Sequence, residues 1–483
     1  MTNLKKIFYC SLFSLMALFS YAQKTEQQNT SISSIAQLPK DSAAKLCVKD
    51  IVIKGNKKTK SYLILRETPF KKGDSLMISD FTKELQLARQ QVYNTTLFVE
   101  VTVDLLVITA TDVVVTINVK ERWYIYPVPQ FQLVDRNFNE WIKTYKGSLD
   151  RVNYGIKFVH YNLTGRKDPL RIYLINGYTR NVSFSYTNPY SNHSLDEGFS
   201  VVAGYSQNRE ISYKTSYNNK ILEYKKGQFV RNNAYGGVGF SLRKGLFKRH
   251  YFNVVYTHFT VDDSVVTTNY NPHYFNSPGA SKGVLDLVYR YQYTNVDNVV
   301  YALKGTTAFL LISKRNLGFT GGLNMLGVEA GFNKYYSLGN KWYTGFQVNG
   351  KIKLPFEQAY LNQRGLGYGE SYLRGLEYYV IDGVATALFR STLKKKIFYF
   401  SVPFPFHSKT ISKIPFTFYA KTYADLGYSY NKKTYDTYLN NRLLYTGGFG
   451  LDILTLYDIN LRLEYSFNQL HENGLFLHTQ GGF

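Results

Sequence analysis

Alternation of apolar and polar side chains over most of the chain is the feature that most restricts its fold. In the segment KWYTGFQVNGKIKLPF, aromatic and aliphatic residues occupy one set of alternate positions, and lysine, glutamine and asparagine dominate the other. The segments LDLVYRYQYT and NLRLEYSF have the same two-residue period. That period is typical of β-strands whose two faces meet different surroundings. Residues 123–483 are therefore predicted to form strands with one apolar and one polar face.

Composition and length favour a membrane barrel over a soluble sandwich. The 483-residue chain contains 44 tyrosines and 33 phenylalanines, but it lacks the run of about 18 apolar residues that a membrane helix needs. A barrel turns its apolar face to lipid and places aromatic residues at both membrane interfaces. The predicted fold class is mainly β, with an antiparallel transmembrane barrel of about 16 strands in residues 123–483 and one small N-terminal α+β domain. A secreted, soluble β-protein is the alternative.

The start of the chain has the pattern of a secretory signal peptide. Lys5 and Lys6 precede a short apolar run, and small residues stand at the offsets required for cleavage before Gln23. We expect residues 1–22 to be the signal peptide. Residues 23–46 are polar and show no period, so we expect a flexible linker there.

Residues 47–122 combine segments with helical spacing and segments typical of strands, and they predict a compact α+β domain. The segment CVKDIVIKGN predicts a strand, TKSYLILRE predicts a short helix, and SDFTKELQLARQQVYN places Phe81, Leu85 and Ala88 at helical spacing. The segments LFVEVTVDLLVI and DVVVTINVKE predict two closing strands. The predicted order is strand, helix, helix, strand, strand.

The sequence contains no motif for catalysis or for a bound cofactor. It has no HExxH, no paired CxxC, no Walker-type loop and no nucleophile elbow, and the glycines of GLGYG do not open a helix after a buried strand. We therefore predict that the protein is not an enzyme and that it uses no cofactor and no metal. The net charge of +24 indicates a polar lumen, or contact with anionic lipid and glycolipid, rather than nucleic acid.

Several short motifs carry a resemblance to a known family. They are IVIKGNKKTKSYLILRETPFKKGD and NTTLFVEVTV near the N-terminus, then YNLTG, SYTNPY, NVDNVVYALKGT, LRG and ADLG in this order along the barrel. The first two resemble a polypeptide-transport-associated (POTRA) domain, and the others resemble the barrel of the BamA/TamA-type outer-membrane assembly superfamily. The resemblance covers nearly all of the chain after the signal peptide. The best-known assembly factors carry several POTRA modules, whereas this chain has room for one.

The resemblance implies a role for Arg374, Gly375 and Asp425. In this superfamily an arginine-glycine loop folds into the barrel lumen, and its arginine meets an acidic residue on the inner wall. Alternation in TFYAKTYADLGY independently places Lys421 and Asp425 on the inner face. We expect an ion pair between Arg374 and Asp425 that braces the loop. The alternative is that both groups lie in water and never meet.

The resemblance also implies assembly or insertion of other outer-membrane proteins, at the outer membrane of a Gram-negative bacterium and with the POTRA domain in the periplasm. Its expected partners are unfolded outer-membrane proteins, outer-membrane lipids and glycolipid, and periplasmic accessory proteins. A client strand would pair with an open sheet edge. On the POTRA domain we expect that edge at Phe98, Val99, Glu100 and Val101. On the barrel we expect a seam between the first and last strands at Phe131, Leu133, Leu475, Leu477 and Phe483.

Two other functions stay open at this point. One is a polypeptide secretion pore of the two-partner type, and the other is a passive porin or receptor. The first barrel strand is expected near Phe131–Asn137, directly after Pro127 and Pro129, which lack backbone donors. The terminal Phe483 matches an outer-membrane targeting signal.

Overall fold

The computed structural model describes residues 44–133, 146, 148–318, 322–405, 412–432 and 437–480. The predicted signal peptide, the predicted linker up to residue 43, and Phe483 lie outside the described residues. In the part of the chain that is described, no helix is long and apolar enough to cross a membrane.

The N-terminal domain is a four-stranded sheet with two helices on one face. The strands lie in the order β2-β1-β4-β3, with β1 parallel to β4 and the other pairs antiparallel. The elements are β1 (Lys45–Lys54), α1 (Ser61–Arg66), β2 (Ser75–Met77), α2 (Ile78–Tyr93), β3 (Phe98–Val107) and β4 (Asp112–Glu121).

Helical spacing on α2 produces the core of this domain. Phe81, Leu85 and Ala88 are all buried against the sheet, as a helix with a single apolar stripe requires. The short strand β2 was not expected from the sequence. It forms because Leu76 lies opposite Leu46 on β1, and that pairing also starts β1 inside the segment predicted as linker.

The rest of the described chain forms one antiparallel sheet of 16 strands, and this confirms the predicted fold class. Its strands are neighbours in chain order from first to last, except that a separate two-stranded hairpin interrupts the sequence between the fifth and sixth. The strands are β5 (Ile125–Leu133), β6 (Val152–His160), β7 (Leu170–Gly177), β8 (Thr179–Asn188), β9 (Glu197–Asn208), β12 (Arg231–Lys244), β13 (Lys248–Val261), β14 (Ser281–Val296), β15 (Gly305–Arg315), β16 (Met325–Gly339), β17 (Trp342–Leu354), β18 (Ala385–Pro403), β19 (Lys413–Tyr430), β20 (Leu443–Leu454), β21 (Asn460–Asn468) and β22 (Asn473–Gln480). The hairpin consists of β10 (Glu210–Thr215) and β11 (Ile221–Lys225).

The sheet curls into a barrel whose inner face is polar. On β19, Lys421 and Asp425 are buried on the inner face. Leu426, the next residue after Asp425, is exposed on the outer face. Asn219, in the turn of the β10–β11 hairpin, donates to the Asn440 side chain at 3.1 Å, a contact that reaches across the lumen to the β19–β20 connection. The alternation seen in the sequence is therefore the alternation between lumen and outer wall.

Strand connections at one end of the barrel touch the N-terminal domain. Asn162, between β6 and β7, donates to the Thr59 hydroxyl at 3.0 Å. Arg66 donates to the Gly245 carbonyl between β12 and β13 at 2.9 Å, and Gln90 donates to the carbonyl of Val296 at 2.6 Å. The N-terminal domain thus lies across this mouth of the barrel.

Removal of a buried ring from α2 tests the core assignment. We expect Phe81→Ala to destabilise the N-terminal domain by about 3–5 kcal/mol, because the surrounding side chains can fill such a cavity only partly. Limited proteolysis of the full-length protein in detergent should then cleave within residues 47–122 sooner than in the wild type. Leu106→Ala, at an exposed position of β3, is the control. Equal proteolysis of both variants would contradict the assignment.

Candidate functional site

The loop of residues 355–384, which joins β17 to β18 and which we call the inward loop, folds into the barrel. Leu366, Leu373 and Leu376 on the loop are buried in one apolar cluster with Leu388 on β18 and Leu444 of β20. The loop therefore packs on the inner wall through side chains that a solvent-exposed loop would not bury.

Arg374 on the inward loop and Asp425 on β19 form a two-pronged ion pair. The arginine Nε lies 2.9 Å from Asp425 Oδ2 and its Nη2 lies 2.5 Å from Oδ1. The backbone N–H of Arg374 also donates to Oδ2 at 3.0 Å. Asp425 is 0% exposed and Arg374 is 7% exposed. Water screens this pair little, and the geometry is that of the strong bidentate arginine–carboxylate contact.

Neighbouring groups occupy the remaining donors of Arg374. Its Nη1 donates to the Thr392 hydroxyl at 3.0 Å and Nη2 donates to the Ser391 carbonyl at 3.1 Å. The guanidinium also lies over the Tyr423 ring, 4.0 Å from the ring centre. A second arginine, Arg390, comes within 3.9 Å of Asp425. The carboxylate therefore has one close cationic partner and one distant one.

Gly375 follows the arginine in a conformation that favours glycine. Its φ is 99°, and a Cβ at this position would come within 2.8 Å of the Ser466 side chain on β21. Its carbonyl accepts from Asn468 at 2.8 Å. The absence of a side chain lets the loop turn while it lies directly on the barrel wall.

A second group of buried charges lies beside the first. Lys421 donates to Glu464 on β21 at 2.6 Å and also to Asp452 on β20. Lys394 on β18 lies 3.4 Å from the same Asp452, whose carboxylate also accepts from Tyr301 at 2.8 Å. Sequence alternation places Lys421 and Glu464 on the inner face, but it contains no signal for which charges pair across strands.

The first and last barrel strands form the two ends of the sheet. Among the described residues, the ladder pairing of β5 is with β6 and that of β22 is with β21. Phe131, Leu475 and Leu477 point outward and are 62%, 68% and 65% exposed. Leu133 ends β5, whereas Phe483 lies outside the described residues. Of the residues predicted to form the seam, Phe131 and Leu133 thus lie on the first strand of the sheet, and Leu475 and Leu477 lie on the last.

The first strand begins earlier than predicted, and positions 134–137 of the predicted strand lie outside the described residues. It begins at Ile125, before Pro127 and Pro129, so both prolines lie inside the strand. The amide of Tyr161 donates to the Tyr124 carbonyl at 2.9 Å, and hydrogen-bonded pairs alternate along an antiparallel ladder. The two prolines therefore occupy the positions whose backbone nitrogen faces away from β6. Proline is accommodated there because no ladder bond to β6 is lost.

The predicted client edge of the N-terminal domain lies on β3, an edge strand of its sheet. Phe98 and Val101 are buried in the core, and Glu100 is exposed. Two carbonyls of this segment already accept side-chain bonds, that of Phe98 from Arg122 at 2.9 Å and that of Val101 from Arg89 at 3.0 Å. The segment is at a sheet edge, but its backbone is partly occupied.

Two buried ion pairs join the N-terminal domain to the barrel, and neither is expected from the sequence. Arg122 Nη2 lies 2.6 Å from Asp458 in the β20–β21 connection. Glu67, after α1, accepts from both terminal nitrogens of Arg243 on β12, at 2.5 and 2.6 Å. Burial raises the pKa of the Glu67 carboxyl, but the Arg243 guanidinium outweighs this effect and lowers the pKa from 4.5 to about 2.

Comparisons with known proteins give one family-model match and several similar structures. Residues 47–122 match the family model described as POTRA, surface antigen variable number repeat. The chain is similar in structure to BamA from Haemophilus ducreyi lacking POTRA domains 1–3, with 17% sequence identity, a TM-score of 0.50, and coverage of 90% of this chain and 84% of that chain. It is also similar to CdiB from Escherichia coli, with 13% identity, a TM-score of 0.48, and coverage of 96% of this chain and 95% of that chain. No curated protein matches its sequence.

Loss of the Arg374 guanidinium should destabilise the barrel. We expect Arg374→Ala to cost about 3–5 kcal/mol in urea unfolding, because it leaves the buried Asp425 carboxylate with only the distant Arg390 as a cationic partner. Arg374→Lys should recover little, because an ammonium cannot make two parallel bonds.

A double-mutant cycle tests whether the two groups act together. Arg374→Ala combined with Asp425→Asn should be no worse than either single variant, because both remove one interaction. The exposed Arg442→Ala is the control for loss of positive charge. Strictly additive costs would contradict the coupling.

The contact between the N-terminal domain and the barrel should weaken in acid. A depressed carboxyl pKa gives stabilisation that is complete above the ordinary value of 4.5 and is lost as the pH falls toward about 2. Spin labels on the exposed Lys83 and His193 should report a longer separation over this interval by pulsed electron paramagnetic resonance. In Glu67→Gln the separation should no longer respond to pH. A wild-type distance that stays constant while the barrel remains folded would refute this dependence.

Proposed function

The chain has the POTRA-plus-barrel architecture of the BamA/TamA-type superfamily, and on that premise we propose that it inserts other β-barrel proteins into the outer membrane of a Gram-negative bacterium. The observation that carries this proposal is the seam. The first and last strands stand at the two ends of a single 16-stranded sheet. A strand edge is a template on which an extended client segment can pair.

The seam edge of β5 is poor in donors. Pro127 and Pro129 have their backbone nitrogens on the side of β5 that faces away from β6, so two positions on that free edge cannot donate a ladder bond. Fewer bonds across the seam reduce the free energy needed to part β5 from β22. A client strand can therefore pair with this edge at a lower cost in free energy than it would need to separate two interior strands.

The inward loop supports a seam that opens while the rest of the barrel stays intact. The Arg374–Asp425 pair ties the loop to β19, three strands from the end of the sheet. The remaining contacts of Arg374 are to Ser391 and Thr392 on β18. We assign to this pair the role of bracing the wall beside the seam, so that parting of β5 and β22 does not spread through the sheet.

The POTRA domain would deliver the client. Its strand β3 is an edge strand, and pairing there would hold an extended segment close to the barrel mouth. Two carbonyls between Phe98 and Val101 accept bonds from Arg122 and Arg89. Delivery on this segment therefore requires these two arginines to move, or uses the later residues of β3.

The remaining partners follow from the location. The POTRA domain would lie in the periplasm, where unfolded outer-membrane proteins and accessory proteins are available. The outward apolar wall would contact outer-membrane lipids and glycolipid.

A passive pore is less consistent with the structure, because the inward loop occupies part of the lumen. The inward loop crosses it, and Asn219 of the β10–β11 hairpin bonds to the Val380 carbonyl of the loop at 3.1 Å. Secretion of a polypeptide through the lumen would require this loop to leave. We retain secretion as a distinct outcome of the experiment below.

Site-specific photocrosslinking separates the three functions. A photoreactive residue at Leu477, outward on β22, should capture several different barrel proteins in growing cells. The same residue at Arg290, on the inward face of β14, should capture none. The matched control is Val254, which is outward on β13 and paired on both sides.

The pattern of adducts decides between the functions. Capture of one secreted protein at Arg290 would replace insertion with export. Absence of any polypeptide adduct at Leu477 and at Arg290 would indicate that the protein is a passive pore. Equal capture at Leu477 and Val254 would show that the seam has no special role.

A further inference from the structure

Three potential metal ligands converge inside the barrel, close to the seam. Glu377 lies on the inward loop, Glu464 on β21 and His478 on β22. His478 Nε2 lies 3.4 Å from Glu377 Oε1 and 3.4 Å from Glu464 Oε2. All three atoms lie within 4.8 Å of one another.

The facing atoms have no hydrogen-bond partner among the described residues. Glu377 Oε1, Glu464 Oε2 and His478 Nε2 are each buried without one. Glu464 is 0% exposed, so its free oxygen is a buried acceptor aimed at the other two atoms. An unsatisfied buried polar atom is costly, and three such atoms within 4.8 Å of one another form a set that one bound cation would satisfy.

The other oxygen of each carboxylate is already engaged. Glu377 Oε2 accepts from the Gly375 amide at 2.7 Å, and Glu464 Oε1 accepts from Lys421 at 2.6 Å. The His478 ring stacks on Tyr372, with ring centres 5.6 Å apart. Such supporting contacts orient ligands before an ion arrives and are typical of metal sites.

The spacing fits a tetrahedral ion. Bonds of about 2.0–2.1 Å at tetrahedral angles place neighbouring ligand atoms roughly 3.3 Å apart. Both measured separations from His478 Nε2 are 3.4 Å. One imidazole nitrogen with two carboxylate oxygens is a donor set that Zn²⁺ accepts, with a fourth position left open.

We propose that Glu377, Glu464 and His478 bind one Zn²⁺ ion. The fourth position would face a cavity of about 350 Å³ that Glu377 and His478 line together with Arg462. The Arg462 cation would favour water or an anion as the fourth ligand. Lys421 neutralises part of the Glu464 charge, so the site is weaker than one with two unpaired carboxylates.

The ion would connect three separate segments. It would join the inward loop, the penultimate strand and the last strand, so that β22 is held to the rest of the wall from inside. Glu377 is also only three residues from Arg374, which fixes the same loop to β19. Zn²⁺ would therefore stabilise the seam end of the barrel. This inference stands whether the barrel inserts, exports or only conducts.

Metal analysis of the purified full-length protein in detergent tests the site. After dialysis against Zn²⁺ at submicromolar free concentration, we expect one ion per chain by mass spectrometry of the metal. Substitution by Co²⁺ should give the intense visible bands of tetrahedral coordination. Zn²⁺ should also raise the temperature at which the folded, heat-modifiable form converts to the unfolded form, and a chelator should reverse this shift.

Two ligand variants and two controls make the test specific. His478→Ala and Glu377→Gln should each lower Zn²⁺ affinity at least about 100-fold, since loss of even a supporting group costs about 10–100-fold. Glu377→Gln keeps an oxygen for the Gly375 amide, so it separates metal loss from loop damage. The controls are Glu370→Gln, which lines the same cavity, and His193→Ala, which is exposed in the β8–β9 turn.

Each result decides the proposal. Loss of stoichiometric Zn²⁺ in both ligand variants, with retention in both controls and heat-modifiable mobility in all four, supports it. Binding that survives His478→Ala, or a wild-type protein that binds no Zn²⁺, overturns it.

Discussion

Backbone hydrogen bonding in apolar surroundings is the constraint on which the rest of the structure depends. A strand in lipid must pair on both sides, because no water is available for its N–H and C=O groups. Fourteen of the 16 strands lie between two partners, and only β5 and β22 stand at the ends of the sheet. The place where this rule is hardest to satisfy is therefore set by the topology. Pro127 and Pro129 cannot donate a ladder bond at this end of the sheet, because their nitrogens lie on the side of β5 that faces away from β6.

Buried charge on the inner wall is the second constraint on the structure. Arg374 pairs with Asp425, and Lys421 with Asp452 and Glu464, so each of these three buried carboxylates has a cation at contact distance. Buried charges left alone would be costly, whereas paired and hydrogen-bonded ones are tolerated. The inward loop supplies Arg374 from outside the sheet, which means that the wall and the loop depend on each other. Glu377 on the loop also lies close to His478 on the last strand, so the loop contacts the wall there as well.

The contact between the two domains follows the same logic at the mouth of the barrel. Glu67–Arg243 and Arg122–Asp458 are ion pairs with both partners buried, so they exist only while the POTRA domain lies on the strand connections. Undocking would expose four charged groups to water, which restores their hydration and offsets part of the lost attraction.

The sequence by itself determined the fold class, because a two-residue period and a helical period are properties of neighbouring residues. It placed Phe81, Leu85 and Ala88 on one face of a helix and Lys421 and Asp425 on the inner wall. It also led to Arg374 and Asp425, but only through a family resemblance, since 51 positions separate them. Only the tertiary structure decided which inward charges meet. Glu377, Glu464 and His478 have no motif spacing, and Glu67 and Arg243 belong to different domains. Such contacts depend on strand register and on the path of one loop, and neither leaves a periodic signal in the chain.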